Sequence, residues 1–320
     1  MHPRPAAVPP PPARGRRFGP RARAAALITI IALAVIACEA TNPPPTTTTT
    51  TTLASGGIDP THLPLGDGKY GSTAKVGSIK TCQSTFGGGG ASSRGPWFNT
   101  DGTTWDSTKK LTVSGSVAWT STFSTTISGS YRVFTGNDLP SHATGKFPIP
   151  ASDPVHAYDG NPNSISSQAM NAKVPANPTA AATPTCIHGE VGILLSGVAL
   201  FDGLDAGGRD AVAWEAQDSC EGHPQNTGVY HYHEVTSCLS TPKDKATLVG
   251  WAYDGFPIFV ERTATGALPT NADLDVCHGR TSAVPLDGRT VTMYHYSATL
   301  EYPYTVGCFK GTPIADRFSG

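Results

Sequence analysis

The 320-residue sequence predicts an all-β protein with little helix. Its C-terminal half reads as a duplicated, disulfide-stapled β module with a pseudo-twofold, preceded by a smaller β region. Three observations predict this. Short apolar alternations are cut by Gly, Pro, Asn and Asp, and no long helical periodicity occurs. Two stretches, "EVGILLSGVALF" (Glu190 to Phe201) and "LVGWAYDGFPIF" (Leu248 to Phe259), align without a gap. Of seven cysteines, Cys38 directly follows an N-terminal export segment and six lie further on, and an even number in an exported domain suggests disulfides.

The first element is that segment, residues 1–37. It carries Arg14, Arg16, Arg17, Arg21 and Arg23 without an acid, then the apolar run Ala24 to Ala37. The run is short for a membrane span and ends in "VIAC", which resembles a bacterial lipobox. Cys38 is then the expected lipidation site and the first mature residue. The expected location is extracytoplasmic, with a lipid anchor as the membrane partner. Residues 38–58 follow as a Thr/Pro-rich tether, whose composition cannot bury enough apolar surface to fold. Removing the six arginines before Cys38 from 23 basic residues leaves 17 against 24 acidic ones, a formal charge of −7. That balance argues against a nucleic-acid partner, which needs a basic face.

Residues 59–180 form the expected smaller β region. Its clearest strand pattern is "LTVSGSVAW", which puts Leu111, Val113, Val117 and Trp119 on one face. "GGGG" at Gly87 to Gly90 precedes no helix and no Lys-Ser/Thr pair, so it reads as a loop and not a phosphate cradle. No G-x-S-x-G elbow occurs. One short helix is expected, around Asp210 to Asp218; the acids of "LDAGGRDAVAWEAQD" offer a cation site but lack the loop order of a calcium-binding EF-hand, and the competing reading is a simple Asp205–Arg209 ion pair.

Residues 181–320 hold two repeats, 186–240 and 245–311. After the aligned strands, "DSCEG" at Asp218 matches "DVCHG" at Asp275, and "YHYH" at Tyr230 matches "YHYS" at Tyr294. Each repeat closes with a cysteine, Cys238 or Cys308. The simplest symmetric pairing is Cys220–Cys238 and Cys277–Cys308, which leaves Cys82 for Cys186. "DSCEGHPQNTGVYHYH", "AYDGFPIF" and "YPYTVGC" resemble the YHYH-domain family, common among exported bacterial proteins. The resemblance runs from Thr135 to Gly311 and implies no particular activity. The second repeat departs from the motif, with Ser297 in the last histidine's place and "CHGR" where the first has "CEGH".

Successive side chains on a strand point to opposite faces, so His231 and His233 share one face and the tyrosines the other. If the two motif strands pack as neighbours, His295 joins them as a third imidazole with an open position. That is what an exchangeable zinc or copper site needs. His188 and His223 are further candidate ligands, and Glu190, Asp218, Glu221 and Asp254 candidate orienting carboxylates. A metal-activated water attacking an ester or amide is the simplest chemistry such a site offers. His142 and His156 lie in turn-rich loops and read as rim residues. The competing reading is a non-catalytic module for an envelope glycan or protein partner. There the histidines are structural, and Trp214, Trp251, Tyr232 and Tyr296 form an exposed aromatic platform. Converging ring nitrogens favour metal; buried, separately bonded histidines with exposed aromatics favour the module.

Overall fold

The computed structural model describes residues 57–314. The expected signal peptide, Cys38 and nearly all of the expected tether lie outside the described residues.

Four two-residue strands come first: β1 (Leu63–Pro64), β2 (Tyr70–Gly71), β3 (Ile79–Lys80) and β4 (Thr104–Trp105). They pair β1 with β4 and β2 with β3. Next, β5 (Phe123–Ser128), β6 (Tyr131–Gly136) and β7 (Met170–Pro175) form an antiparallel sheet. Met170, Ala172 and Val174 of β7 alternate inward with period two, as a half-buried strand requires. "LTVSGSVAW" is not a strand. Val113 and Val117 make isolated bridges, and Gly115 between them has φ +125° with a Cβ position 2.9 Å from the Lys146 nitrogen. The alternation predicted burial correctly, since Val113 is buried and Val117 and Trp119 are half-buried, but this glycine kink breaks the ladder.

The large sheet is built from both repeats. The first supplies β8 (Glu190–Leu194), β9 (Ala199–Phe201), β10 (Gly222–Pro224) and β11 (Tyr230–Tyr232). The second supplies β12 (Ala246–Ala252), β13 (Pro257–Glu261), β14 (Gly279–Leu286) and β15 (Arg289–Ser297). The strand order is β10-β11-β9-β8-β12-β13-β15-β14. Each half has the same plan. The aligned strands pair antiparallel, the second runs parallel to the motif strand, and the motif strand pairs antiparallel with its outer neighbour. Even the irregularities repeat, with register shifts between Glu190 and Gly192 and between Leu248 and Gly250. The pseudo-twofold runs between the antiparallel neighbours β8 and β12.

The axis position corrects one expectation. The motif strands β11 and β15 are not neighbours, because β9, β8, β12 and β13 lie between them. At about 4.8 Å per strand, five steps separate them by roughly 24 Å along the sheet.

The helix is shorter than expected. It is α1 (Ala211–Trp214), capped by the Asp210 side chain on the Ala213 nitrogen. Glu215 already has extended ψ, which turns it away from the helix. The three disulfides are Cys82–Cys186, Cys220–Cys238 and Cys277–Cys308. Each contributes on the order of 3 kcal/mol by restricting the unfolded chain. No helix among the described residues is long and apolar enough to cross a membrane.

Candidate metal centre

The tyrosines of the motif build the scaffold. Tyr230 lies over Gly222 of β10, where a Cβ would meet its ring at 2.3 Å, and its hydroxyl donates to Asp218 at 2.8 Å. Tyr294 repeats this over Gly279, with its hydroxyl 3.0 Å from Asp275. On the neighbouring position Tyr232 donates to Ser196, and Tyr296 to Asp254 at the matching place.

The histidines converge on the other side. β10 and β11 place His223 directly opposite His231, and His233 follows two residues later. The ligand atoms of His223, His231 and His233 all lie within 4.8 Å of one another, and all three residues are buried. Nδ1 of His231 faces the Val229 carbonyl at 3.3 Å, and Nδ1 of His233 faces the Asp202 carbonyl. A carbonyl only accepts, so each Nδ1 carries a hydrogen, and on a neutral ring the Nε2 then presents a lone pair. These two Nε2 atoms stand 3.2 Å apart. Bonds of ~2.05 Å at a tetrahedral angle would separate two ligand nitrogens by about 3.3 Å. His223 is buried with no hydrogen-bond partner on either ring nitrogen, an arrangement that costs stability unless something binds there. A proton on His233 satisfies one pair; a metal ion satisfies all three rings.

Glu215 completes the cluster. Its Oε2 lies 3.3 Å from Nε2 of His233 and 3.5 Å from Nε2 of His223. Burial, then His231 and His233, pushes His223 well below its ordinary pKa, and burial then His233 does the same to His231. Burial also opposes charge on His233, but the Glu215 carboxylate and the Asp202 carbonyl outweigh it and leave that ring raised. Burial raises Glu215 against the pull of His233. Two of the three rings are therefore held in the neutral, metal-binding form.

The cluster borders a cavity of about 550 Å³. Phe201 stacks on His231 with centroids 4.0 Å apart. Gly87, Gly88 and Gly90 of the "GGGG" loop line this cavity, which puts the loop close to the site. Gly90 approaches so near that a Cβ would stand 2.9 Å from Glu215 Oε1. Arg209 ties the loop down through the Gly89 and Ala91 carbonyls while pairing with Asp205 at 2.7 Å.

Other expected site residues fall elsewhere. His295 does not join His231 and His233. Its Nε2 lies 3.2 Å from Glu261 in the second repeat, for the reason the strand order gives. There Arg280 grips Glu261 at 2.7 Å and 3.1 Å, and Ser297 donates to it at 2.6 Å. His188 lines the cavity rim and is exposed. Glu190 accepts from Tyr253, Glu221 from Ser237, and Asp218 and Asp254 hold motif tyrosines; none of these four orients a cluster imidazole in hydrogen-bond contact. His142 bonds the Tyr232 hydroxyl at 2.6 Å, and His156 packs on Gly160. The aromatic platform is absent, because Tyr232, Tyr296 and Trp251 are buried and Trp214 is half-buried under Arg209. Glu261 and Arg280 carry no such mark in the sequence reading, and Glu215 enters it only among the acids of "LDAGGRDAVAWEAQD", not beside the histidines. The available signal was Arg280 in the aligned place of His223.

Residues 171–269 match the family model described as YHYH protein. No curated protein and no solved structure matches the chain.

Proposed function

Starting from a chain that carries a YHYH domain over residues 171–269, we propose that this protein binds one transition-metal ion, zinc or copper, through His223, His231 and His233. The observation that carries the reading is the pair of Nε2 atoms 3.2 Å apart, each aimed inward by an Nδ1–carbonyl contact. Carbonyl contacts of this kind fix the tautomer and ring angle of metal-binding histidines. Imidazole ligands suit both metals. Glu215 stands beside the ion, able to ligate it or to accept a proton from water in the adjoining cavity. The protein acts outside the cytoplasm, held to a membrane by lipid on Cys38; the "VIAC" motif and the six remaining cysteines support that placement. The alternative of an envelope glycan- or protein-binding module loses its main support with the burial of the aromatic side chains.

Elemental analysis of untagged protein tests the metal reading. About one zinc or copper per chain is expected, lost in His231→Ala. A metal-free parent that takes up neither ion at micromolar concentration would make the histidines structural.

A further inference from the structure

The disulfides of the two repeats occupy matching places but differ in their surroundings. Cys277 and Cys308 are both fully buried. In the first repeat Cys220 is 4 % exposed, whereas Cys238 is open to solvent. A ring nitrogen of His142 and the two sulfurs of this bridge all lie within 4.8 Å of one another. His142 belongs to the upstream region, outside both repeats. Neither of the other two disulfides has a histidine grouped with it in this way among the described residues.

A disulfide opens when a thiolate attacks one sulfur and the other leaves as a thiolate, and it opens faster the better that leaving thiolate is stabilised. The exposed sulfur is the one an incoming thiol reaches, so Cys238 is attacked and Cys220 leaves. Cys220 departs beside His142. Nδ1 of that ring faces the Ala143 carbonyl at 2.9 Å, and Nε2 faces the Tyr232 hydroxyl at 2.6 Å, whose own hydrogen goes to Ser196. Both ring nitrogens thus have an acceptor, as a protonated imidazole needs. A cation beside a cysteine favours its thiolate. The flanking acids, Asp218 and Glu221, are taken up by Tyr230, Ser237 and backbone N–H groups. The Ala143 carbonyl also lies 3.7 Å from Cys220 Sγ, placed to accept from the thiol once it forms.

We propose that Cys220–Cys238 is a thiol–disulfide exchange site, attacked at Cys238 by an external thiol, with His142 supplying the proton to Cys220. The bond from the incoming sulfur to Cys238 forms as the Cys220–Cys238 bond breaks. The electron pair leaves on Cys220, which takes the His142 proton, and solvent returns the proton that the thiol shed. A second thiol then attacks the mixed disulfide, which leaves both cysteines reduced and the two thiols joined as a disulfide. The site is independent of the metal reading. Millimolar reduced glutathione added to the full chain, quenched with N-ethylmaleimide and mapped by peptide mass spectrometry, tests it. Glutathione should appear on Cys238 and maleimide on Cys220. The bridge should open at least about tenfold faster than Cys82–Cys186, whose Cys82 is also exposed but has no such imidazole, while Cys277–Cys308 stays closed. His142→Gln keeps an amide for Tyr232 but cannot carry the charge, so it should slow opening about tenfold with the adduct still on Cys238. A purely structural role for His142 predicts the opposite, because a loosened loop exposes the bridge. Opening no faster than that of Cys82–Cys186, an adduct on Cys220, or a rate unchanged or raised in His142→Gln overturns the proposal. The first two of these use the parent alone, whatever the variant's fold.

Discussion

In the first repeat three histidines and Glu215 border a cavity; at the matching end of the second, Arg280 and Ser297 replace His223 and His233. The scaffolds agree down to the tyrosine over each glycine and the register shift in each inner strand. The chemistry diverges. Arg280, His295 and Ser297 all engage Glu261, so the second site is neutralised by its own side chains. The first has three imidazoles and one carboxylate, with His223 lacking any hydrogen-bond partner. One repeat has closed its site with an internal ion pair, whereas the other keeps a buried His223 without a hydrogen-bond partner.

The comparison can be broken by transplanting one site into the other. Arg280→His with Ser297→His builds a second three-histidine set around His295. Zinc stoichiometry should rise from about one to about two per chain, since tetrahedral geometry needs only ligands that converge. An unchanged stoichiometry would mean that the Glu215 surroundings matter more than the histidines.

Arg280→Met should destabilise the fold by about 3–5 kcal/mol in denaturant titration, because it leaves Glu261 buried without its main partner. Tyr230→Phe and Tyr294→Phe should each cost about 1–2 kcal/mol, and by similar amounts, since each frees one aspartate oxygen in an equivalent place. A large inequality would break the equivalence of the scaffolds.

A further effect concerns acid. Burial alone would raise Glu261, but His295 and Arg280 hold it down at about 2. A carboxylate depressed in the fold stabilises it above the unfolded value, near 4.5, and that contribution fades as pH falls through about 2. Glu261→Gln should flatten the loss of stability across this window. Equal acid sensitivity in parent and variant would remove Glu261 from the account.

Much of the fold was legible in the sequence because the repeat is written in residues that packing requires. The aligned glycines and cysteines gave both the duplicated architecture and the pairing seen in the three disulfides. The placement of the dyad was not legible. Either the motif strands or the "EVGIL" and "LVGWA" strands could pair across it, and nothing local distinguishes two buried apolar edges. The candidate site inherited that ambiguity. His231 and His233 follow from strand alternation alone, whereas His223 follows from the β10–β11 register and Glu215 from where a four-residue helix ends. Such distant geometry leaves little trace in periodicity.

Zinc titration of metal-free protein tests most directly whether only the first repeat holds a metal, using His233→Ala and His295→Ala beside the parent. The parent and His295→Ala should each take up one equivalent with the same affinity, and His233→Ala should bind at least about 100-fold more weakly, having lost one of three ligands. Loss of binding in His295→Ala, or unaltered binding in His233→Ala, would contradict the account.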